Sequence, residues 1–341
     1  MTSSSIQSEM SFIEVLPDDK SNSLSLCKAT IPTIKDHEIL VEVHVAGVNR
    51  PDILQRKGHY APPKGVSPIL GLEVAGKIVN IGKDVFHHKV GDFITALAPG
   101  GGYAEYCAIP ASHALPIPKG FDLLHAAAIP ETFFTVWHNL IERGKLQKND
   151  YCLIHGGASG IGTAAIQLAK WQGAKIITTV GSDKKVAFCK QLGADHTINY
   201  KNQDFVTEVK NCTNRHGADV ILDMVGGCYV EKNYICAAIE GRIVQIAVLA
   251  GAHGNANIAR LMAKRLIHTG STLRPQSDEV KTAIADNLYQ HLWPEFERGT
   301  IKPIIDRFFP LKDAEKAHDY METSQHMGKI MLTTPFFQTS K

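Results

Sequence analysis

The sequence predicts an α/β protein with a β-rich first domain and a doubly wound parallel sheet in its second domain. Residues 12–130 are rich in alternating apolar and polar positions and in Gly and Pro, which favours strands and turns. From about residue 123 to 300, strand patterns alternate with helix patterns. A glycine-rich turn at residues 156–162 lies between a short apolar strand and a helix rich in Ala and Ile.

Composition places the chain among globular proteins. It has 341 residues, enough for two domains, with 44% hydrophobic and 21% charged residues and a formal net charge of +2. Lys and Arg form no run of five or six, so nucleic acid is not an expected partner. No segment approaches the roughly 18 apolar residues of a membrane span, and the polar start lacks an export signal. The seven cysteines, without a C-x-x-C pair, fit a reducing compartment. We therefore expect a cytoplasmic protein whose first ten residues or so form a loose tail.

Individual elements of the β-rich domain can be predicted from the same patterns. Residues 39–45 alternate as a half-buried strand should, residues 71–82 are expected to form a strand pair, and residues 91–97 form a further strand. No long helical period occurs before about Leu123.

The second domain is predicted as six strands joined by helices. The predicted strands are 151–155, 175–180, 196–200, 219–225, 242–248 and 267–273, and the predicted helices are 161–171, 184–192, 205–211, 229–239 and 258–266. This alternation implies right-handed βαβ crossovers and a parallel sheet. A longer helix is expected at about 279–298. The tail, 302–333, should return to the first domain because the sixth strand completes the sheet. The predicted division is therefore 10–130 with 302–341, and 131–301.

The glycine-rich turn predicts a Rossmann dinucleotide site. Gly157, Gly160 and Gly162 leave the main chain bare, so a pyrophosphate can approach the helix N-terminus, where unpaired N–H groups and the helix dipole favour negative charge. Ser159 stands at the middle position of the motif, next to Gly160 and Ile161. A serine there still permits close approach, and its hydroxyl can donate to a phosphate or an amide.

The end of the second predicted strand indicates NADPH. Chains that bind NAD usually place Asp or Glu there, to hold the ribose 2′-hydroxyl. In this chain Gly181 occupies that position. The neighbouring Ser182 can hydrogen-bond a 2′-phosphate, and Lys185 can neutralise the charge of that phosphate. The alternative is that Asp183 holds the ribose of NAD, although an Asp at this place more often caps the following helix.

Five segments carry a resemblance to a known family. They are 46–60 (AGVNRPDILQRKGHY), 69–76 (ILGLEVAG), 100–106 (GGGYAEY), 126–131 (AAAIPE) and 155–170 (HGGASGIGTAAIQLAK). With them the chain resembles the medium-chain dehydrogenase/reductase superfamily, and within it the zeta-crystallin-type quinone oxidoreductases of the tumour-suppressor-inducible subgroup. The resemblance implies a GroES-like first domain, a Rossmann second domain and an active site in the cleft between them.

The same resemblance implies chemistry without a metal. Zinc-dependent members of the superfamily bind the catalytic metal through a Cys and a His at positions that hold Asn49 and Leu72 here, and only Glu73 of the G-H-E motif remains. Cys107 stands alone where those members carry a four-cysteine lobe. Asn and Leu do not provide the N/S coordination that zinc needs, so we expect no metal site.

Candidate site residues follow from the resemblance. Asn49 is expected beside the nicotinamide, the alternative being a turn-stabilising Asn. Tyr60 is expected to hydrogen-bond the acceptor oxygen and to donate a proton, the alternative being an aromatic anchor. Thr135 is expected to face the nicotinamide, unless its hydroxyl bonds its own helix backbone. His155 is expected to pack rather than to act as a base.

Further cofactor contacts are expected at strand ends and in the tail. They are Tyr200 beside the adenosine phosphate, Asp223, Gly226 and Gly227 after the fourth strand, Ala247, Val248 and Leu249 near the carboxamide, Arg274 from the sixth strand and Lys329 from the tail.

The sequence thus predicts an NADPH-dependent quinone reductase acting on a small-molecule acceptor. One alternative is an enone or alkenal double-bond reductase on the same fold. An alternative of another class is a non-enzymatic NADPH-binding protein, crystallin-like or RNA-binding. A homodimer through the edge of the Rossmann sheet, around residues 242–273, is expected by fold analogy.

Overall fold

A computed structural model describes residues 8–16 and 22–338 of the chain. These residues form two compact units. The first contains the described parts of Met1–Glu131 and Arg274–Lys341, and the second is Thr132–Leu273. Most of the tail expected at the N-terminus, residues 1–7, lies outside the described residues.

The N-terminal part of the first unit is built mainly of strands. Its elements are β1 (Glu9–Val15), β2 (Leu24–Thr30), β3 (Glu38–Val48), α1 (Arg50–Arg56), β4 (Glu73–Ile81), β5 (Phe93–Leu97), β6 (Tyr106–Pro110), β7 (Ala114–Pro116) and α2 (Leu123–Ala127).

The second unit alternates strands and helices. Helix α3 (Pro130–Val136) crosses the boundary and continues as a π-helical segment, Trp137–Arg143. The following elements are β8 (Tyr151–His155), α4 (Gly160–Gln172), β9 (Lys175–Val180), α5 (Asp183–Leu192), β10 (His196–Asn199), α6 (Phe205–Cys212), β11 (Ala218–Asp223), α7 (Tyr229–Cys236), β12 (Ala237–Gln245), α8 (Ile258–Lys264) and β13 (Ile267–Gly270).

The C-terminal segment completes the first unit. It contains α9 (Asp278–His291), α10 (Trp293–Arg298), β14 (Ile305–Pro310), α11 (Ala314–Glu322) and β15 (Lys329–Thr333).

The first unit contains a mixed sheet in the order β14-β15-β3-β4-β5-β7, with β6 also paired to β3 and a separate antiparallel pair β1-β2. Its core is apolar, with Val41, Val74 and Ile94 almost fully buried. The strand pair expected at 71–82 is wrong, because these residues form the single strand β4. Gly76 is not a turn glycine: a Cβ there would lie 2.0 Å from the Glu42 carbonyl oxygen, so glycine permits the close approach of β3.

The second unit contains a parallel sheet in the order β10-β9-β8-β11-β12-β13. This is the doubly wound order, with its switch point between β8 and β11. All six predicted strands are present, all within described residues, with ends that differ by a few positions. Strand β12 differs most, because it begins at Ala237 and its pairing with β11 shifts register between Ala218 and Val220.

The long helix expected at 279–298 is two helices, and both lie in the first unit. Pro294 stands in the first turn of α10, where its ring cannot continue α9. Trp293 is buried and its Nε1 donates to the Pro116 carbonyl of β7 over 2.9 Å. The second compact unit ends at Leu273, whereas the predicted division was at 301/302. Among the described residues, no helix is long and apolar enough to cross a membrane.

Candidate active site

In the first unit, the carboxylate of Glu73 at the start of β4 joins three other segments. Glu73 is fully buried. Its Oε1 accepts from Asn49 Nδ2 over 2.9 Å and lies 2.6 Å from Lys329 Nζ, and its Oε2 accepts from the Glu131 backbone N–H over 2.8 Å. One carboxylate therefore fixes the end of β3, the last strand and the start of α3.

The Lys329 ammonium is saturated by the protein. Besides its contact with Glu73, Nζ donates to Asn49 Oδ1 over 2.5 Å and to the Val48 carbonyl over 3.1 Å. An ammonium has three donors, and all three are used here. Lys329 therefore holds the Asn49 amide in one orientation, and its expected contact with the cofactor stays a prediction.

Asn49 precedes α1, and both ends of its side-chain amide are engaged, the oxygen by Lys329 and the nitrogen by Glu73. Leu72, at the other position occupied by a zinc ligand in related enzymes, is buried and apolar. A zinc ion needs donor atoms with free lone pairs, whereas here a lysine ammonium already lies between the Asn49 and Glu73 oxygens. The residues at these positions do not fit a zinc site. The described part of the chain also holds no group of three His, Cys, Asp or Glu residues suited to a metal.

A second buried chain runs from α1 toward α11. Asp52 accepts from the Asn49 N–H over 2.8 Å, from the Gly71 N–H over 3.0 Å and from the Tyr103 hydroxyl over 3.3 Å. The Tyr103 hydroxyl also lies 3.1 Å from His318 Nε2. Burial raises the pKa of Asp52 to about 6, although its two backbone hydrogen bonds act to lower it. Burial also lowers the pKa of His318 to about 3. The sequence reasoning missed this chain, although Asp52 follows Asn49 at capping-box spacing.

Three polar groups beside this buried layer have no hydrogen-bond partner among the residues that the structure describes. They are the Tyr60 hydroxyl, the Glu131 carboxyl and the Nη2 group of Arg274. The Arg274 guanidinium lies 5.7 Å from the centre of the Tyr60 ring. Unpaired polar groups inside a protein are a common feature of ligand sites.

Burial sets the protonation of two of these groups. Burial, reinforced by the charge of Glu73, raises the pKa of Glu131 from 4.5 to about 8, with Lys329 opposing. Burial also raises the pKa of Tyr60, Glu131 adds to the rise and Arg274 opposes it. Both groups therefore carry a proton at neutral pH and can donate it. The sequence analysis did not single out Glu131, and its place in the AAAIPE segment was the available signal.

In the second unit, the glycine turn leaves two main-chain donors open. Ser159 is the N-cap of α4, and its hydroxyl oxygen accepts from the Gly162 N–H over 3.0 Å. The capping bond uses the hydroxyl oxygen as an acceptor, and the hydroxyl hydrogen points to Met224 Sδ, 3.8 Å away. Donation from this hydroxyl to a phosphate or an amide stays a prediction. The N–H groups of Gly160 and Ile161 have no acceptor among the described residues. They belong to the first turn of a 13-residue helix, where an anion is stabilised.

Close packing also explains two of the turn glycines. A Cβ at Gly157 would lie 2.8 Å from Thr178 Cβ, and a Cβ at Gly162 would lie 2.3 Å from the Gly156 carbonyl oxygen. The turn therefore needs glycine for its own geometry as well as for the approach of a ligand.

The end of β9 has no carboxylate at position 181. A Cβ on Gly181 would lie 2.6 Å from the Tyr200 hydroxyl, so the glycine makes room for that half-exposed ring. Ser182 is the N-cap of α5 and accepts from the Lys185 N–H over 3.4 Å. Asp183 does not cap α5, and its Oδ1 accepts from Asn199 Nδ2 over 2.7 Å. The structure brings Gly181, Ser182 and Tyr200 together, and their contacts with the cofactor stay a prediction.

Asp223, a predicted cofactor residue, is occupied within the protein. It is fully buried, its Oδ1 accepts from the N–H groups of Val225 and Gly226, and its Oδ2 accepts from Asn233 Nδ2 over 2.9 Å. Asn233 Oδ1 lies 2.9 Å from His155 Nε2, and burial lowers the pKa of that histidine. Asp223 therefore shapes the turn after β11, and His155 packs beneath it.

The remaining predicted residues of the second unit lie on turns and a helix. Val248 and Leu249 are about half exposed after β12. The Leu249 N–H donates to Met224 and the Ala247 carbonyl accepts from Gln245, whereas the Val248 N–H has no acceptor within the described chain. In α3, the Thr135 hydroxyl makes no hydrogen bond to its own helix in the described structure.

Comparisons with known proteins show which proteins this chain is similar to. Residues 35–119 match the alcohol dehydrogenase GroES-like domain family, and residues 160–287 match the zinc-binding dehydrogenase family. Human quinone oxidoreductase is 30% identical over 307 residues, which cover 89% of this chain and 91% of that protein. One component of the phenolphthiocerol/phthiocerol polyketide synthase of Mycobacterium tuberculosis is 30% identical over 302 residues, 87% of this chain but 14% of that much longer protein.

Solved structures agree with these matches. A quinone oxidoreductase of Escherichia coli complexed with NADPH has a TM-score of 0.84 and 30% identity, covering 95% of this chain and 99% of that one. The CurK enoyl reductase has a TM-score of 0.85 and 27% identity, covering 96% and 100%. With these relatives, a GroES-like first unit and a Rossmann second unit, the chain belongs to the medium-chain dehydrogenase/reductase superfamily.

Proposed function

We propose that this chain is an NADPH-dependent quinone reductase of the zeta-crystallin type that works without a metal. The observation that carries the proposal is the geometry of the second unit. The open N–H groups of Gly160 and Ile161 fit a diphosphate, and Gly181 with Ser182 offers a 2′-phosphate a strand end without a carboxylate. The E. coli relative that was solved with NADPH supports this cofactor.

The groups of the first unit support reduction of a carbonyl-type acceptor. NADPH, when bound, supplies a hydride. The quinone also needs one proton to form the hydroquinone, and the Tyr60 hydroxyl and the Glu131 carboxyl are the two protonated, unpartnered donors that can supply it at neutral pH. Lys329 and Glu73 hold Asn49 rigid beside them. The ammonium between Asn49 and Glu73 supports a mechanism in which no zinc ion polarises the acceptor.

The proposal is tested by following NADPH oxidation with 1,4-naphthoquinone, 9,10-phenanthrenequinone and a 2-alkenal. We expect the quinones to be reduced and the aldehyde to react slowly. Turnover of the alkenal alone would favour the enone reductase, and the CurK enoyl reductase neighbour gives that alternative specific support. Binding of NADPH without turnover of any acceptor would favour a non-enzymatic role.

We further propose a cytoplasmic homodimer. The edge strand β13 exposes Ile267, and the neighbouring helix α8 buries none of its side chains and exposes Ile258 and Met262. Edge strands with exposed apolar side chains are common association surfaces. The Ile267→Glu variant should sediment as a monomer, whereas the parent protein should sediment as a dimer. The location is supported by cysteine usage, since all seven thiols are free.

A further inference from the structure

Arg274 is a buried cation with one unused end. Its side chain is more than nine-tenths buried. Nε donates to the Pro99 carbonyl over 2.9 Å and Nη1 donates to Gln55 Oε1 over 2.7 Å, so the guanidinium is held in a fixed orientation. Nη2 has no hydrogen-bond partner within residues 8–16 and 22–338. An unpaired N–H of a buried guanidinium is costly unless a ligand accepts from it.

A second buried cation contacts the main chain of Arg274. Lys281 of α9 is 6% exposed, and its Nζ donates to the Arg274 carbonyl over 2.9 Å. In the part of the chain that the structure describes, neither Arg274 nor Lys281 has a carboxylate within 4 Å. Asp278, one turn earlier in α9, acts on Lys281 from beyond that distance. The pair therefore carries positive charge without a direct counter-ion, which a buried site tolerates poorly.

Glu131 does not neutralise these cations at pH 7. Its pKa of about 8 keeps the carboxyl protonated, so it contributes a hydrogen-bond donor rather than a negative charge. The Tyr60 ring beside the guanidinium adds an apolar wall and a further O–H group. Cations, neutral donors and an aromatic wall together suit a flat ring that carries an anionic oxygen.

We propose that Arg274, assisted by Lys281, binds a negatively charged oxygen of the acceptor, so that the enzyme prefers quinones bearing a carboxylate or sulfonate over neutral quinones. This inference rests on the proposed function for its substrate class. The anionic oxygen could otherwise come from a phosphate of the cofactor, which is the contact that the family resemblance implies for Arg274, and the experiment distinguishes these two sources.

The test uses ligands that cannot be reduced, so that it does not depend on activity. Naphthalene-2-carboxylate and the neutral naphthalene-2-carboxamide are titrated into the full-length protein by calorimetry, with and without NADP⁺. We expect the carboxylate to bind about 10- to 100-fold tighter, the range for a hydrogen bond between charged groups. The Arg274→Gln variant should lose this preference. Arg307→Gln is the matched control, because Arg307 also lies over a tyrosine ring, that of Tyr320, but is exposed, and it should keep the preference.

Two results would overturn the proposal: equal binding of both ligands by the parent protein, or retention of the preference by the Arg274→Gln variant. Retention together with an about tenfold loss of NADPH affinity would assign Arg274 to a phosphate of the cofactor instead. If the Arg274→Gln variant does not fold, the Lys281→Met variant is used in its place. We expect it to lose about 3- to 10-fold of the preference for the carboxylate, and an unchanged preference would refute the proposal. A retained carboxylate preference in a protein that reduces no quinone would contradict the proposed function and support the anion site.

Discussion

Replacing Glu131 by glutamine should make the protein more stable than the parent, by an amount that grows as the pH rises from about 5 to 8. Glutamine keeps the size of the side chain but cannot ionise. In the folded protein the pKa of Glu131 is raised to about 8 by burial and by Glu73, whereas in the unfolded chain it is near its ordinary 4.5. Between these values the unfolded state releases the proton and the folded state keeps it, so the parent protein loses stability with rising pH.

The size of the effect follows from the two pKa values. The interval from 4.5 to about 8, at about 1.4 kcal/mol per pH unit, sets an upper bound of roughly 5 kcal/mol. The advantage of the variant should grow from pH 5 to pH 8 and then remain constant.

The assay is guanidinium unfolding of the parent and the variant at pH 5, 6, 7, 8 and 9. The difference in unfolding free energy between the two proteins isolates Glu131 from other titrating groups. Glu297→Gln, at an exposed position, serves as the control and should give a difference that does not change with pH. A Glu131→Gln difference that is equally flat would refute the claim that this carboxyl is protonated in the fold.

Three further outcomes follow from the same geometry. Lys329→Met should destabilise the protein by about 3–5 kcal/mol because it leaves the buried Glu73 carboxylate unpaired, and Lys329→Met with Glu73→Gln should recover most of this loss in denaturant unfolding. Tyr60→Phe should lower kcat for quinone with little effect on NADPH affinity, and an unchanged kcat would remove its role as a proton donor. Gly181→Asp should weaken NADPH binding relative to NADH by about 1–4 kcal/mol; Gly181→Ala controls for the displacement of Tyr200, and an equal effect of both variants would contradict the charge argument.

The elements of the second unit were predictable because their signals are local. A strand, a glycine turn and an Ala-rich helix follow one another in the chain, and the six strands of the sheet were identified from apolar runs between helices. Helix ends were also indicated locally, as Gly173 at the end of α4 shows with its left-handed φ of 80°. The strand pair expected at 71–82 was wrong because a glycine at position 76 suggests a turn. Glycine is needed there because a strand more than 30 residues away in the sequence packs closely against it.

The candidate site was only partly predictable, since its bonds join residues far apart in the chain. Tyr60 and Asn49 were identified through the resemblance, but the ammonium that orients Asn49 comes from Lys329, 280 residues later. The raised pKa of Glu131 depends on burial and on Glu73, neither of which local spacing reveals. The bonds of the Asp223 carboxylate to its own turn and to Asn233, ten residues later, were likewise not visible in local spacing, and its contact with the cofactor stays a prediction.

The most direct test of metal-free quinone reduction by NADPH is a steady-state rate measurement. The protein is first depleted of metals with a chelator, and the reduction of 1,4-naphthoquinone is then followed with NADPH and with NADH at equal concentrations. We expect full activity after chelation and a kcat/KM for NADPH at least about tenfold above that for NADH, since no carboxylate stands at position 181. Loss of activity on chelation with recovery by zinc, or a clear preference for NADH, would contradict this expectation.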